Sequence, residues 1–480
     1  MISVSVFDAR GDIMFISIRT LADSTFCSPP LVQGLIFDKL HVRPTAFSTV
    51  IFDIIVVAAV FVGLASAVAM FGIWWERKVA GHIQSRFGPN RVGPIGLLQS
   101  IADGGKLLLK EDLVPRDADS FLFRLAPYLA FAPVFAAFLV LPFGPELTFE
   151  PRLNVGVFWA MAILSVEVMG VILAGWASNN KWSIYGAMRE ASQMVSYEVP
   201  LGLSIVIGVM TAGTLNLVQL GHLQSGGLHT WLLFRNPFAF LAFFVFFIAG
   251  LASNKRAPFD LPESESELVA GYHTEYSGLR FSFFFFAEYA AMFVIGGIQV
   301  GLFLGSWNDP FGLIGWAHAR FASPEHYSPG KLLLINAAGA TIFILKCLGI
   351  MYVQMWLRWT LPRPRIDQVL YACIKVLLPM ACVLLLGAAL WQLLVGELAA
   401  VPWMPFGTGQ PLAGQVFNPW NFAQWVRAGA GAALVSQVTL ALAGAAGMAL
   451  IVGWAVYSFS VGGKIKKRLT DPAPIVIMGR

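Results

Sequence analysis

Nine long apolar stretches dominate this sequence, and they limit it to a protein that lies in a membrane. They occur at residues 51–75, 122–142, 155–177, 199–219, 237–252, 281–305, 332–356, 369–395 and 433–459. Each approaches the roughly 20 residues with which a helix spans a hydrocarbon core of about 30 Å. Backbone polar groups in lipid must bond within the protein, and apolar runs without polar alternation exclude a barrel. We therefore predict an all-α, polytopic transmembrane helical bundle.

The distribution of basic residues predicts the orientation of this bundle. With nine spans, the connections after spans 1, 3, 5 and 7 and the C-terminal tail share one side, which carries most of the 32 Lys and Arg residues. Because positively charged connections stay in the cytoplasm, we expect the N-terminus outside and the C-terminus in the cytoplasm. Residues 1–48 lack the ordered basic, apolar and cleavable regions of a signal peptide, and the sequence assigns them no role.

Several kinds of chemistry are not supported by any motif. The four cysteines, Cys27, Cys347, Cys373 and Cys382, show no C-x-x-C spacing, so we expect neither an iron–sulfur cluster nor structural zinc. The seven histidines form no H-E-x-x-H pattern, which leaves metal catalysis without support. Neither a G-x-G-x-x-G turn nor a Walker sequence is present, and we expect no nucleotide chemistry on this chain.

Three ionisable residues lie deep within predicted spans: Glu167 in the third, Glu288 in the sixth and Lys346 in the seventh. Facing lipid, each costs about 2.5 to 3.5 kcal/mol on insertion scales, so we expect all three to face the bundle interior. They either take part in proton or ion movement or form a structural Lys–Glu pair. Glu190 and Glu198 lie at the cytoplasmic end of span four, where an acidic helix start explains them equally well.

The connection after the first span contains two Gly-Pro pairs in GPNRVGP, which interrupt any helix there. The following segment, IGLLQSIADGGKLLLKE, has an apolar face and predicts an amphipathic helix at the membrane surface. Lys78 and Arg91 in this connection are interpreted as anchors that meet lipid phosphates.

Five carboxylates crowd the connection from Asn254 to Leu279, namely Asp260, Glu263, Glu265, Glu267 and Glu275. Clustered carboxylates repel one another, so their protons are held at raised apparent pKa values that belong to the whole set. A nearby change of charge or hydration then moves protons. Alternatively, the connection is a solvated acidic loop that docks basic partners, and the two roles are compatible.

Five motifs carry a resemblance to a known family. They are ERKVAGHIQSRFGPNRVGPIGLLQSIADGGKLLLKED, REASQMVSYEVPLG, RAPFDLPESESELVAGYHTEYSG, FFFAEYAAM and LRWTLPRPRIDQ. With these motifs in this order, the chain resembles the H subunit of NADH-quinone oxidoreductase, the quinone-tunnel membrane subunit of respiratory complex I, from about Phe52 to Trp391. The resemblance implies eight core helices at residues 49–396, after an N-terminal extension at 1–48. An extracytoplasmic connection at 397–432 and an additional transmembrane helix with a basic cytoplasmic tail at 433–480 would follow.

The resemblance also implies a function. In the family, this subunit joins the soluble redox arm to the proton-pumping membrane arm, and the quinone tail enters between the first helix, the surface helix and the sixth helix. Arg77 and Arg86 match family arginines near that tunnel, and Phe283, Phe284 and Phe286 lie beside it, although the run 283–286 is also typical of bulk that faces lipid. The acidic path of the family resembles the set Glu167, Glu190, Glu198, Asp260, Glu263, Glu265, Glu267, Glu275 and Glu288, with Lys346.

The expected substrate is a quinone, and the resemblance places no redox centre on this chain. FMN and iron–sulfur clusters are expected on soluble partner subunits, and neighbouring membrane-arm subunits and membrane lipid are further partners, with no nucleic acid. The expected location is the bacterial plasma (inner) membrane.

One position departs from the family pattern. The family usually has Glu before the Arg-Ala-Pro-Phe-Asp stretch, whereas this chain has Ser253 at that position and Lys255 within the polar triplet. This removes a carboxylate and adds a positive charge beside Arg256, which puts the family's proton route in doubt at this point. The closest alternative is the homologous subunit of a membrane-bound hydrogenase or formate hydrogenlyase. An ion-coupled carrier predicts two related halves, which are not found, and a structural anchor does not need ionisable residues within spans.

Overall fold

The structure, a computed structural model, describes residues 4–7, 13–16, 46–148, 153–321 and 329–398. Near the N-terminus, strands β1 (Val4–Phe7) and β2 (Ile13–Ile16) pair antiparallel, with Val4 opposite Ile16. This short hairpin lies in the N-terminal extension and is the only departure from helix and loop among the described residues. The predicted ninth span at 433–459 lies outside those residues.

Helices make up the body of the molecule. They are α1 (Ala46–Ile83), α2 (Gln99–Leu108), α3 (Ser120–Phe138), α4 (Gly156–Ala177), α5 (Lys181–Ala212), α6 (Leu217–Leu223), α7 (Leu232–Arg235), α8 (Pro237–Ser253), α9 (Glu265–Leu268), α10 (Gly278–Phe303), α11 (Leu313–Phe321), α12 (Pro329–Thr360), α13 (Ile366–Tyr371) and α14 (Leu378–Leu398). Short 3₁₀ turns lie at Pro94–Gly96, Leu228–Thr230 and Gly271–His273, and a π-helical segment, Ala372–Leu377, joins α13 to α14.

The long helices confirm the predicted polytopic bundle. In the described part of the chain, six helices are long and apolar enough to cross a membrane: Ser120–Phe138, Gly156–Ala177, Lys181–Ala212, Gly278–Phe303, Gly330–Thr360 and Ile366–Gln392. Helix α8 is a shorter apolar helix, and α1 covers the first predicted span. Helix α5 begins well before the predicted start at 199, because the Asn180 side chain accepts a hydrogen bond from the Trp182 amide and caps its N-terminus.

Helix α10 lies at the centre of the bundle. Every residue from Ala287 to Phe303 is buried, and the helix packs against α1, α3 and α12. It has no exposed stripe over this stretch, so a polar side chain on it must find its partners inside the protein. Glu288 is therefore held in the interior, as the sequence predicted.

Small residues allow the helices around this centre to approach closely. A Cβ atom added to Gly170 in α4 would lie 2.5 Å from the backbone nitrogen of Ala130 in α3. Without a hydrophobic driving force between helices in lipid, such close backbone packing contributes much of the attraction between them. The α3 and α4 helices are thereby closely packed, and α3 in turn packs against α10.

The predicted surface helix is present as α2, and it contacts both α1 and α10. The chain reaches α2 through the interrupted segment that ends in the Pro94–Gly96 turn, as the two Gly-Pro pairs indicated. Ile101 and Leu108 of α2 are exposed, as expected for a helix that presents an apolar face to a membrane surface.

Candidate functional site

The connection between α8 and α10, residues 254–277, turns back into the bundle and supplies two buried cations. Lys255 and Arg256 follow α8 directly, and each is 3% exposed. Lys255 has a backbone φ of 54°, a left-handed conformation that is unfavourable for a residue with a Cβ atom. The Asn254 side chain donates a hydrogen bond of 3.2 Å to Gln354 Oε1, which ties the turn to α12.

Arg256 joins the first and sixth spans through two carboxylates. Its Nη1 donates a hydrogen bond of 3.2 Å to Glu76 Oε2 in α1, and its Nε lies 2.7 Å from Glu288 Oε1 in α10. The guanidinium also lies 4.1 Å from the ring centre of Tyr289. Arg358, at the end of α12, forms a second ion pair with Glu76. All of these groups except Arg358 are buried, so each charge is compensated within the protein.

Lys255 forms a second cluster on the other side of this turn. Its ammonium donates a hydrogen bond of 2.8 Å to Glu167 Oε1 in α4 and lies 3.9 Å from Glu190 Oε1 in α5. Burial opposes a charge on Lys255, but the two carboxylates outweigh it and raise the pKa of Lys255 above its usual value. Lys255 therefore carries a positive charge in the bundle interior.

Lys346 is not the partner of Glu167, so the structural pair considered from the sequence is wrong. The Lys346 ammonium donates hydrogen bonds to the backbone carbonyls of Leu304, Ser306 and Asn308, at 2.6, 3.0 and 2.6 Å. These carbonyls follow the C-terminus of α10, where a positive charge is favourable. Lys346 thus holds the backbone that follows the central helix α10.

The helix-start explanation of Glu190 and Glu198 is also wrong. Helix α5 begins at Lys181, so both residues lie well inside it. Glu190 is fully buried beside Lys255. Glu198 is half-buried and accepts a hydrogen bond of 3.0 Å from the Ser165 hydroxyl in α4. Both carboxylates therefore face the α4–α5 interface.

Two carboxylates of the acidic connection lie next to the interior network. Burial and the neighbouring charge of Glu263 raise the pKa of Asp260 to about 7, although Arg363 pairs with it at 2.8 Å. For Glu263, burial acts to raise the pKa, but the His273 ring at 2.8 Å and a hydrogen bond of 2.7 Å from the Tyr272 hydroxyl hold it at about 2. Adjacent acids of one loop therefore differ widely in proton affinity.

The other acids of the connection lie nearer its surface. Glu267 is exposed and pairs with Arg189 at 2.6 Å, and Glu275 is half-buried and accepts a hydrogen bond of 2.6 Å from the Asn180 side chain. The side chain of Glu265 lies outside the described residues. The connection is thus partly buried and partly solvated, which is compatible with both roles considered for it.

The expected tunnel region lies where α1, α2 and α10 meet. Arg77 in α1 forms an ion pair with Asp103 in α2, which joins the surface helix to the first span. Arg86 is exposed in the following loop and borders a cavity of about 280 Å³ whose lining includes Lys78 and Phe87. The loop returns tightly on α1, since a Cβ at Gly81 would lie 2.9 Å from the Arg86 carbonyl oxygen.

The phenylalanine run of α10 does not face lipid as a unit, because none of its four rings is exposed. Phe284 is buried and packs on Tyr272 and Tyr276 with ring centres 5.5 and 5.1 Å apart. Phe283 instead contacts Phe131 of α3 at 4.9 Å, and Phe286 is half-buried against the main core. Consecutive helical residues point about 100° apart, so these rings necessarily have different surroundings.

Glu76 is a member of the network that sequence reasoning missed. It lies in WWERK just after the first predicted span, next to Arg77 and Lys78. Glu76 lies one residue beyond the predicted span at 51–75, whereas the observed helix α1 continues to Ile83 and carries Glu76 within it. In the described residues, no group of three or more His, Cys, Asp or Glu side chains has a geometry that could hold a metal ion.

The fold and the site define a multi-pass helical membrane protein with a network of ion pairs in its interior. The family described as NADH dehydrogenase matches residues 55–389. The H subunit of NADH-quinone oxidoreductase from Chlorobium luteolum is 46% identical over 373 residues, which are 77% of this chain and 97% of that protein. The proteins of the same name from Anaeromyxobacter dehalogenans and Brevibacillus brevis are 42% and 45% identical, covering 78% and 68% of this chain and 89% of each relative.

The chain belongs to the family of H subunits of NADH-quinone oxidoreductase. It is a membrane subunit of that enzyme complex, as the motifs indicated. The matched residues fall within the predicted core at 49–396. The divisions predicted outside that match, including the additional helix at 433–480, remain predictions.

Proposed function

We propose that this chain forms the quinone-access tunnel of respiratory complex I and an acidic path that couples quinone reduction to proton translocation. The observation that carries the proposal is the buried network at Lys255 and Arg256, in which two cations contact four carboxylates of the bundle. Ionisable groups in a membrane interior are costly and are by default a sign of proton or ion movement. The four carboxylates are Glu76, Glu167, Glu190 and Glu288.

The acidic connection supports a continuous path into this network. Asp260, which is buried, and Glu263, which is half-buried, are the acids of the connection that lie closest in sequence to the two cations. Their unequal proton affinities allow one to release a proton where the other retains its charge. From there, Glu190 and Glu167 lead into the bundle on the Lys255 side, and Glu288 leads into it on the Arg256 side.

The packing of α2 against α1 and α10 supports the tunnel. An isoprenoid tail needs an apolar, aromatic wall with few polar groups, and the phenylalanine run of α10 together with Phe131 and Tyr128 of α3 has this character. Quinone reduction itself takes place at the end of the tunnel in soluble subunits that carry FMN and iron–sulfur clusters. This chain contributes the entry and the proton-linked acids.

We propose that the protein lies in the bacterial plasma membrane, with its N-terminus outside, its C-terminus in the cytoplasm, and neighbouring membrane-arm subunits and lipid around it. The rival function is that of the homologous subunit of a membrane-bound hydrogenase or formate hydrogenlyase. Purifying the native complex tests the choice directly. Co-purifying subunits with flavin and iron–sulfur clusters that oxidise NADH support the proposal, whereas a nickel–iron hydrogenase subunit overturns it.

The tunnel mouth is tested by Arg86→Ala in the assembled complex. Because Arg86 borders the cavity beside the α1–α2 junction, we expect a higher quinone KM or weaker binding of tunnel-directed inhibitors. NADH oxidation with an artificial electron acceptor should be unchanged, since that reaction bypasses the tunnel. Arg91→Ala, an exposed change in the same loop, is the matched control. Quinone kinetics equal to those of the control would remove Arg86 from the site.

The pKa of Asp260 predicts a pH dependence of stability. Its pKa of about 7 exceeds the ordinary value of 3.8, so the folded protein binds this proton more tightly than the unfolded chain. The resulting stabilisation is complete below about pH 3.8 and is lost as the pH rises through about 7.

Asp260→Asn should therefore flatten the fall in thermal stability of the complex between pH 5 and 8. Asp112→Asn, which removes a surface carboxylate paired with Arg280, is the control. Equal pH profiles for wild type and Asp260→Asn would contradict the assignment.

A further inference from the structure

Lys255 is shared unequally by two carboxylates. Its ammonium is within hydrogen-bond distance of Glu167 Oε1, at 2.8 Å, but is 3.9 Å from Glu190 Oε1, too far for a hydrogen bond. The three residues are 3, 7 and 0% exposed, so water does not screen their charges. The ammonium has three N–H donors and can turn from one carboxylate to the other without leaving the cluster.

In this arrangement the carboxylate of Glu190 accepts no hydrogen bond. Within the described part of the chain, both of its side-chain oxygens are buried and neither has a hydrogen-bond partner. A buried carboxylate in that state is costly when ionised, and the cost is relieved either by a proton or by a closer ammonium. Glu167 has the ammonium, and Glu190 is therefore the group with room for the proton.

Among the described residues, no second cation pairs with Glu167 or Glu190. Arg256, the neighbouring buried cation, is already engaged by Glu76 and Glu288. In the described chain, no Lys or Arg other than Lys255 lies within ion-pair distance of Glu167 or Glu190. Glu263 and Asp260 of the connection add further negative charge nearby. One ammonium thus serves two carboxylates that come from different helices.

The turn itself directs Lys255 inward. The left-handed φ of Lys255 and the hydrogen bond from Asn254 to Gln354 orient the backbone so that this side chain enters the α4–α5 interface. Loop lysines ordinarily extend into water because the charge is strongly hydrated, so its burial here has to be imposed by the surrounding structure. The position is therefore a specific feature of this fold.

We propose that Lys255 is a positioning residue that shares its ammonium between Glu167 and Glu190, so that the two carboxylates together hold a single proton. When the proton is on Glu190, the ammonium bonds Glu167. When the proton passes to Glu167, the ammonium moves to Glu190, and Lys255 keeps all of its own protons throughout. This inference rests on the proposed function, because the pair lies in the proposed proton path.

The sharing is tested first by assembly of the full complex in native membranes. Lys255→Met removes the positive charge at similar volume and leaves the two buried carboxylates, with their one proton, as an uncompensated negative charge, so we expect a loss of assembled complex. Adding Glu167→Gln or Glu190→Gln to Lys255→Met removes one carboxylate as well, so that the remaining glutamate keeps the proton and the cluster is neutral, as it is in the wild type. Sharing predicts that both double variants recover assembly. If only the double variant with Glu167→Gln recovers assembly, and the one with Glu190→Gln does not, Lys255 belongs only to Glu167 and the proposal is overturned.

The movement of the ammonium is tested by Lys255→Arg. A guanidinium keeps the charge, but its planar fork can bind both carboxylates at once and hold them together. We expect normal assembly with quinone-linked turnover lowered at least about tenfold, since positioned proton transfer commonly contributes more than that. NADH oxidation with an artificial acceptor should be retained. Wild-type turnover in an assembled Lys255→Arg complex would make Lys255 a static counter-ion and overturn the movement.

The two tests separate this inference from the proposed function. If Lys255→Arg does not assemble, the double variants still decide whether the ammonium is shared. If Glu167→Gln alone leaves proton translocation unchanged, the proton path fails, while recovery of both double variants would still establish one cation shared by two carboxylates.

Discussion

Replacing Arg256 with methionine is expected to prevent stable assembly of the complex. The change leaves Glu288 without its cation and Glu76 with only Arg358, while both carboxylates remain buried. Removing one partner of a buried ion pair typically costs about 3 to 5 kcal/mol, which is a large part of the total stability of most proteins. The measurement is the amount of assembled complex in membranes and its unfolding temperature in detergent.

Two companion variants show whether the cause is the uncompensated charge. Arg358→Met removes a partly exposed cation and leaves Arg256 on Glu76, so its cost should be within about 1 kcal/mol. Combining Arg256→Met with Glu288→Gln removes a negative charge together with the positive one, and should recover part of the loss. If the complex with Arg256→Met unfolds at the same temperature as the wild-type complex, the network contributes nothing to stability.

The second large effect is expected from Glu167→Gln. Glutamine keeps the size and most hydrogen-bonding capacity of glutamate but cannot carry the proton. Because Glu167 is buried in α4 and bonds Lys255, it cannot dock a soluble partner, and its replacement in an assembled complex tests proton coupling rather than docking. We expect quinone-linked turnover and proton uptake to fall at least about tenfold in the assembled complex. NADH oxidation with an artificial acceptor should remain.

The matched control is Glu146→Gln, another glutamate changed in the same way. Glu146 is outside the proposed path and lies near His318 at 3.5 Å, so its replacement should leave quinone-linked turnover unchanged.

Docking by the acidic connection is tested separately with a double variant in which both Glu265 and Glu267 are replaced by Gln. A docking role predicts weaker assembly that worsens with salt, because exposed charges are screened within about 10 Å at 0.1 M. Proton uptake and turnover in Glu167→Gln that match those of the control would remove Glu167 from the coupling path.

The departure from the family pattern at Lys255 is explained differently by sequence and by structure. In the sequence, an added positive charge beside Arg256 only indicated a disturbed proton route. In the structure, the left-handed turn after α8 points the two adjacent cations to opposite clusters, with Arg256 on α1 and α10 and Lys255 on α4 and α5. The direction of neighbouring side chains depends on the backbone of one turn, which the amino-acid types do not reveal.

The ion-pair partners could not be predicted for a related reason. Lys255 is 88 residues from Glu167, and Arg256 is 180 residues from Glu76. Both pairs exist only because separate helices pack in one arrangement. Lys346 was an equally reasonable partner for Glu167 on charge and depth, but it instead bonds three carbonyls at the end of α10. Depth in a span predicts burial of a charge without predicting the group it meets.

The sequence by itself determined that the chain is a polytopic helical membrane protein and to which family it belongs. Those properties are local, since the hydropathy of about 20 successive residues and the order of short motifs can be read without contacts. Only the tertiary structure decided that Glu76 joins the network, that Lys255 serves Glu167 and Glu190, and that Glu263 is tied to Tyr272 and His273. Partnership among buried charges depends on distances of a few ångströms between distant segments, and those distances are set by helix packing and the turns that join the helices.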